Sequence, residues 1–183
     1  MDKIFRIVGL TGSLRRDSYN KAALRAAQKL VPENAVLEII DLAEIPFLNE
    51  DVEAQGLPAS VVHFKKKLAE ADAILIATPE YNFSIPPVLK NALDWASRGD
   101  ELPLAGKPLA IMSASPSTLG GARVQYHLRQ VCVSLNLLPL NKPEVFIADA
   151  NTKFDDAGNL VDTRTKASIE RLLKALVHNI KNT

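Results

Sequence analysis

Ile4-Phe5-Arg6-Ile7-Val8-Gly9-Leu10 runs directly into Thr11-Gly12-Ser13-Leu14-Arg15-Arg16-Asp17-Ser18-Tyr19-Asn20, and a helical pattern over residues 20–31 follows. A strand-length apolar run that ends in small, hydroxyl-bearing and amide-bearing residues, and then changes to a period of 3.6, opens a βα unit. Residues 36–40 read as a second strand, 59–71 as a helix and 73–77 as a third strand, which completes βαβαβ. The alternation continues with a helix over 86–97, a strand over 108–115, a helix from about 121 to 134, a strand region within 138–147 and a last helix. In that helix Ile169, Leu172, Leu173, Leu176, Val177 and Ile180 mark one apolar face. Strands alternating with helices predict an α/β fold: a doubly wound, five-stranded parallel sheet with helices on both faces. Right-handed crossovers favour the order 2-1-3-4-5, which sets strands one and three side by side.

At 183 residues the chain is expected to form one domain spanning 1–183. With 22 Lys plus Arg against 21 Asp plus Glu, the formal charge of +1 offers no field for nucleic acid or an anionic membrane. The opening Met1-Asp2-Lys3-Ile4-Phe5-Arg6 lacks the apolar core of a signal peptide, and no apolar run approaches the roughly 20 residues of a membrane span. A cytoplasmic location without membrane insertion is expected. The single cysteine, Cys132, lies in an apolar helical pattern and reads as core packing. Residues 41–58, with Pro46, Gly56 and Pro58 among acidic residues, read as a surface loop or irregular turn able to border a site. Residues 151–162 have several aspartates and Gly158, but no glutamate closes the spacing of a calcium loop, so a turn-rich connection without metal is expected.

Three loops carry the chemistry. In an open parallel sheet, ligands bind beyond the carboxyl ends of the strands where strand order reverses. Residues 12–20 can converge backbone N–H groups, the Ser13 and Ser18 hydroxyls, the Asn20 amide and the Arg15 charge on a monoester phosphate at a helix N-terminus. Taken alone, the same residues serve equally well as a helix cap with solvated arginines. Neither Gly-x-x-x-x-Gly-Lys-Ser/Thr nor Gly-x-Gly-x-x-Gly is present, which disfavours a nucleotide-hydrolysing loop and a dinucleotide Rossmann site. The second loop, Thr78-Pro79-Glu80-Tyr81-Asn82-Phe83-Ser84, precedes a helix that starts at Pro86-Pro87, and its backbone groups, Tyr81 and Asn82 suit the edge of a planar heterocycle. The alternative is a turn with an exposed tyrosine. The third, Ser113-Ala114-Ser115-Pro116-Ser117-Thr118-Leu119-Gly120-Gly121-Ala122-Arg123, is either a further wall of the same crevice or a plain turn before a helix.

Gly12-Ser13-Leu14-Arg15…Ser18…Asn20, Pro79-Glu80-Tyr81-Asn82, Leu89-Lys90-Asn91-Ala92-Leu93-Asp94-Trp95 and Gly120-Gly121-Ala122-Arg123, in that order, resemble the NAD(P)H-dependent FMN reductases, nearest their chromate- and quinone-reducing members. The resemblance implies a flavodoxin-like fold, non-covalent FMN, and NADPH or NADH as electron donor. It assigns Ser13, Arg15, Ser18, Tyr19 and Asn20 to the cofactor, chiefly its phosphate, and Pro79, Glu80, Tyr81, Asn82 and Ser115 to the ring. It further implies a homodimer or homotetramer, with Phe83, Arg123, Tyr126 and Glu144 on the interface and acceptor side. Phe83 stands where some relatives have tyrosine, and Ser117 where glycine is usual.

On this reading hydride passes from the nicotinamide to flavin N5, and a quinone, chromate or similar acceptor then occupies the same face, a ping-pong order that needs no dedicated catalytic side chain. His63, His127 and His178 lie in helical patterns without metal-ligand spacing. Trp95 is expected to anchor a helix in the core. The competing reading is a flavodoxin-type electron carrier that makes no direct use of NAD(P)H. Such carriers are typically strongly acidic, and this chain is near neutral. A low-molecular-weight phosphatase would need a cysteine in the phosphate loop, and Cys132 is elsewhere.

Overall fold

The computed structural model describes residues 3–182. Parallel strands β1 (Phe5–Thr11), β2 (Ala35–Ile40), β3 (Ala73–Thr78) and β4 (Pro108–Ala114) lie in the order β2-β1-β3-β4, and the edge beyond β4 is formed by β5 (Leu138–Pro139) and β6 (Val145–Ile147). The doubly wound flavodoxin-like order is as expected. Its fifth strand is two pieces: β5 pairs with Pro108 and Leu109, and β6 with Met112 to Ala114. The break has a local cause. Leu140 still donates to the Leu109 carbonyl (2.8 Å), but its own carbonyl is taken by the Arg129 guanidinium (2.6 Å), and Pro139 and Pro143 bring no N–H to a ladder.

The helices are α1 (Tyr19–Leu30), α2 (Glu50–Glu53), α3 (Ala59–Glu70), α4 (Pro87–Ala96), α5 (Ala122–Ser134) and α6 (Thr163–Ile180). Strand alternation divides the core. Ile7, Leu75 and Met112 face a layer made by α1 and α6, while Val8, Leu10, Ile74, Ile76 and Ile111 face α3, α4 and α5. Every residue of β3 and β4 is buried, because both faces of these central strands are covered. The α6 stripe expected from its period is buried from Ile169 to Val177.

Trp95 is fully buried, and its indole N–H donates to the Pro46 carbonyl (2.7 Å). Asn91 donates to the same carbonyl (2.9 Å) and accepts from the Leu48 N–H (2.8 Å), so α4 staples the irregular 41–58 connection. That connection also contains the single turn α2, capped by Asn49 and tied through Glu53 and Glu50 to Arg98. Cys132 is buried, and burial pushes its thiol up to about 11, leaving it protonated and inert. In the 151–162 connection Asp155 accepts from the Asn159 backbone (2.7 Å), and Asp162 caps α6 through the Thr165 N–H (2.7 Å). No helix among the described residues is long and apolar enough to cross a membrane.

Candidate functional site

Strand β1 sits between β2 and β3, so the chain passes to opposite sides of β1 after its first and second crossovers. The carboxyl ends of β1, β3 and β4 are in register neighbours, Thr11 beside Ala77 and Thr78 beside Ser113. The three loops singled out in the sequence therefore leave one sheet edge at its topological switch point.

The first loop is drawn towards the start of α4. A Cβ on Gly12 would stand 2.8 Å from Leu89 Cβ and 2.9 Å from Pro86 Cβ, so only glycine allows this approach. Ser13 is buried behind it, and Ser18 caps α1, its Oγ accepting from the N–H groups of Asn20 (3.2 Å) and Lys21 (3.4 Å). The first turn of α1 contains no acidic residue, which leaves its positive end free for an anion. Arg15 is exposed, with its guanidinium 5.4 Å from the Tyr19 ring centroid, and Tyr19 packs on Phe154 at 5.6 Å. The Asn20 side chain also bridges to the third loop: its Nδ2 donates to the Ala114 carbonyl and its Oδ1 accepts from the Ala114 N–H, both at 2.9 Å. It thereby fastens the first loop to the end of β4.

The second loop contains a two-residue turn. Tyr81 and Ser84 exchange backbone hydrogen bonds (3.1 and 2.9 Å), with Asn82 at φ 48° and Phe83 at φ 63°. Left-handed backbone comes readily to asparagine and at a cost to phenylalanine. The Arg123 guanidinium lies 3.9 Å from the Phe83 ring centroid, a contact that offsets part of that cost. The Glu80 carboxylate accepts the Val124 N–H (2.9 Å). Since α5 has Gly121 at its N-cap and no side-chain cap of its own, Glu80 is its remote N-terminal acceptor. Ser84 Oγ lies 3.0 Å from His127 Nδ1. Tyr81 and Phe83 remain exposed at the rim.

In the third loop Ser115 Oγ accepts the Ser117 N–H (3.1 Å) and donates to Ser117 Oγ (3.0 Å). Ser117 keeps φ outside the left-handed region, which Gly120 (58°) and Gly121 (83°) occupy instead. Segment 147–150 backs the loop, with Ser115 N–H on the Ile147 carbonyl and Ala150 N–H on the Ser115 carbonyl. Of the interface candidates, Tyr126 donates to Glu144 (3.1 Å), and Lys142 Nζ lies 2.5 Å from the same carboxylate. Lys142 first, and then Tyr126, holds the Glu144 carboxyl below its ordinary range.

Behind the third loop, its first residue Ser113 pairs with Gln125, a buried residue that was not singled out in the sequence. Ser113 Oγ lies 2.6 Å from the Gly120 carbonyl, and the buried Gln125 donates to that Oγ (2.8 Å) and to the Val145 carbonyl (2.9 Å). Gln125 shares the inward face of α5 with Leu128 and Cys132, so a polar residue in an apolar stripe was the available signal.

The family model for NADPH-dependent FMN reductases matches residues 5–152. The chain belongs to this family. An NAD(P)H-dependent FMN reductase of Pseudomonas aeruginosa is 50% identical over 176 residues, covering 96% of this chain and 95% of that protein. An NADPH:quinone oxidoreductase of Arabidopsis thaliana is 46% identical, covering 94% and 90%. Among solved structures, the flavoenzyme NAD(P)H:(acceptor) oxidoreductase of Paracoccus denitrificans superposes with a TM-score of 0.89 at 30% identity, covering 98% of each chain. Membership in the family makes this protein an oxidoreductase with FMN as its cofactor and NAD(P)H as its electron donor.

Proposed function

We propose that this FMN reductase reduces quinones, and chromate or similar acceptors at the same open face, in a ping-pong order. The convergence of three loops at the carboxyl ends of β1, β3 and β4 carries the reading. The residues suit FMN. Ser13, Ser18, Arg15 and the uncompensated start of α1 would hold the phosphate. The backbone of 79–82 and Ser115 would line the ring, with Tyr81 and Phe83 exposed at its rim. When bound, the flavin supplies the two-electron chemistry. Tyr19 would support Arg15 through its ring face, and Asn20 and Glu80 would position the loops through Ala114 and Val124. Names such as NADPH:quinone oxidoreductase and quinone reductase among relatives support the quinone as acceptor.

The exposed surface around Phe83, Arg123, Tyr126 and Glu144 is the proposed contact of a homodimer or homotetramer, and the cytoplasm the proposed compartment. One domain over 1–183 is the proposed organisation. The test is the visible spectrum of the purified protein, followed anaerobically through one addition of NADPH and one of quinone. Bleaching followed by recovery is expected. A flavin indifferent to NADPH and NADH would favour the electron carrier, and a protein that binds no FMN would overturn the site. Parallel double-reciprocal lines are expected with quinone and with chromate, and intersecting lines would reject the ping-pong order.

A further inference from the structure

The interior of α5 holds an amide whose job the FMN chemistry leaves unassigned. Gln125 is 1% exposed, and both of its donated bonds are well formed, yet its Oε1 has no hydrogen-bond partner among the described residues. Reversing the amide would set Oε1 2.9 Å from the Val145 carbonyl oxygen, acceptor against acceptor, so the orientation is fixed by its surroundings. A buried acceptor without a donor is costly, and an apolar side chain in the same stripe would avoid it. What the amide does in return is orient a proton. Because Gln125 Nε2–H occupies an acceptor position on Ser113 Oγ, the Ser113 hydroxyl proton points at the Gly120 carbonyl (2.6 Å), with the Gly121 carbonyl 3.3 Å away.

That hydroxyl is the tie between the last strand position before Ala114 and the glycine pair closing the third loop. Only glycine fits at either position: a Cβ on Gly120 would stand 2.8 Å from Ala148 N, and one on Gly121 2.8 Å from Ser113 Cβ, so the turn packs directly on Ser113 and on the 146–148 backbone. The preceding residue of α5, Val124, receives Glu80 from the second loop. Consecutive residues of one helix thus hold the two ring-side loops.

We infer that Gln125 is a positioning residue for the flavin ring, acting through Ser113 and the Gly120-Gly121 turn to set the wall that Ser115 presents. This rests on the proposed FMN site. The test compares wild type with Gln125→Met, Ser113→Ala and Ser113→Thr, measuring FMN dissociation constant, flavin midpoint potential, and KM and kcat for quinone in FMN-saturated protein. Gln125→Met and Ser113→Ala are expected to weaken FMN binding about tenfold, to move the potential and to raise quinone KM more than they lower kcat. Ser113→Thr, which keeps the hydroxyl, should restore all three. If Gln125→Met fails to fold, the contrast between Ser113→Ala and Ser113→Thr decides. Variants that match wild type in potential and KM would overturn the inference. A wild type that takes up no FMN would instead overturn the site on which it rests.

Discussion

The loop proposed for the phosphate side and the loops proposed for the ring side leave neighbouring strands at one sheet edge, yet they are held by opposite means. Residues 12–20 are held mostly by themselves: Ser18 caps the helix that it precedes, Ser13 N–H reaches back to Thr11 Oγ (3.4 Å), and Lys21 reaches the Leu14 carbonyl (3.4 Å). The ring-side loops are held from a distance, by Glu80 on α5 and by Gln125 and Ser113 between strand, turn and helix. A self-capped loop can present a charge to a ligand without that charge supporting the fold. A loop braced by remote groups cannot be altered at its braces without moving its wall.

Asn20 is the exception on the phosphate side and should give the largest effect on stability. Its replacement by alanine leaves the buried N–H and carbonyl of Ala114 without their side-chain partner, at roughly 1–3 kcal/mol for each group left unsatisfied. Urea unfolding of Asn20→Ala should show a loss of about 3 kcal/mol, in the apoprotein as well as with FMN. An unchanged apoprotein, with only FMN binding weakened, would make Asn20 a direct phosphate ligand and erase its difference from Arg15.

Arg15→Ala should do the reverse. The side chain is exposed and has no ion pair among the described residues, so the midpoint of apoprotein unfolding should stay within experimental error. FMN affinity should fall by about 1.5–3 kcal/mol, the range for a charge-assisted bond, read as flavin lost on dialysis. Full flavin retention would reject its phosphate role and return the first loop to a simple cap.

What the sequence revealed follows the same division. The strand-loop-helix punctuation at 10–20, the burial period of α6 and the neighbouring places of strands one and three were legible because they depend on residues close in the chain or on handedness. The split edge was not, since it turns on Arg129 reaching across to the Leu140 carbonyl. The pairing of the Asn20 amide with Ala114 is equally invisible, because nothing local reveals that a residue 94 positions on offers it a donor and an acceptor. The bond from the Val124 N–H to the Glu80 carboxylate, 44 positions apart, is hidden in the same way. A polar residue in a helix stripe, Gln125, was the one visible trace of the long-range bracing.

Glu80→Ala sharpens the comparison at smaller scale. Loss of a carboxylate acceptor at the start of α5 should cost about 1 kcal/mol, in the range of an ordinary N-cap, and should also disturb quinone KM because the second loop is released. The stability loss without any change in KM would mean that the cap serves the helix alone.

The smallest expected effect lies just before β6, at a residue that pairs with Tyr126 of α5. The Glu144 carboxyl is held below its ordinary value by Lys142 and then by Tyr126, so the ionised form is favoured in the folded chain. A carboxyl whose folded value is depressed contributes stability that is fully present above its unfolded value, about 4.3, and is lost as pH falls through the folded value. Glu144→Gln should therefore be slightly less stable than wild type at pH 7, with the gap narrowing as pH falls below about 4.3, as followed by chemical unfolding at pH 7 and near pH 3. The partners are exposed enough for salt to weaken the difference further. A gap undiminished near pH 3 would assign Glu144 a role beyond its charge. A pH-7 gap that grows with protein concentration would place the Tyr126–Glu144 pair in a contact between subunits, where stability and assembly become one equilibrium.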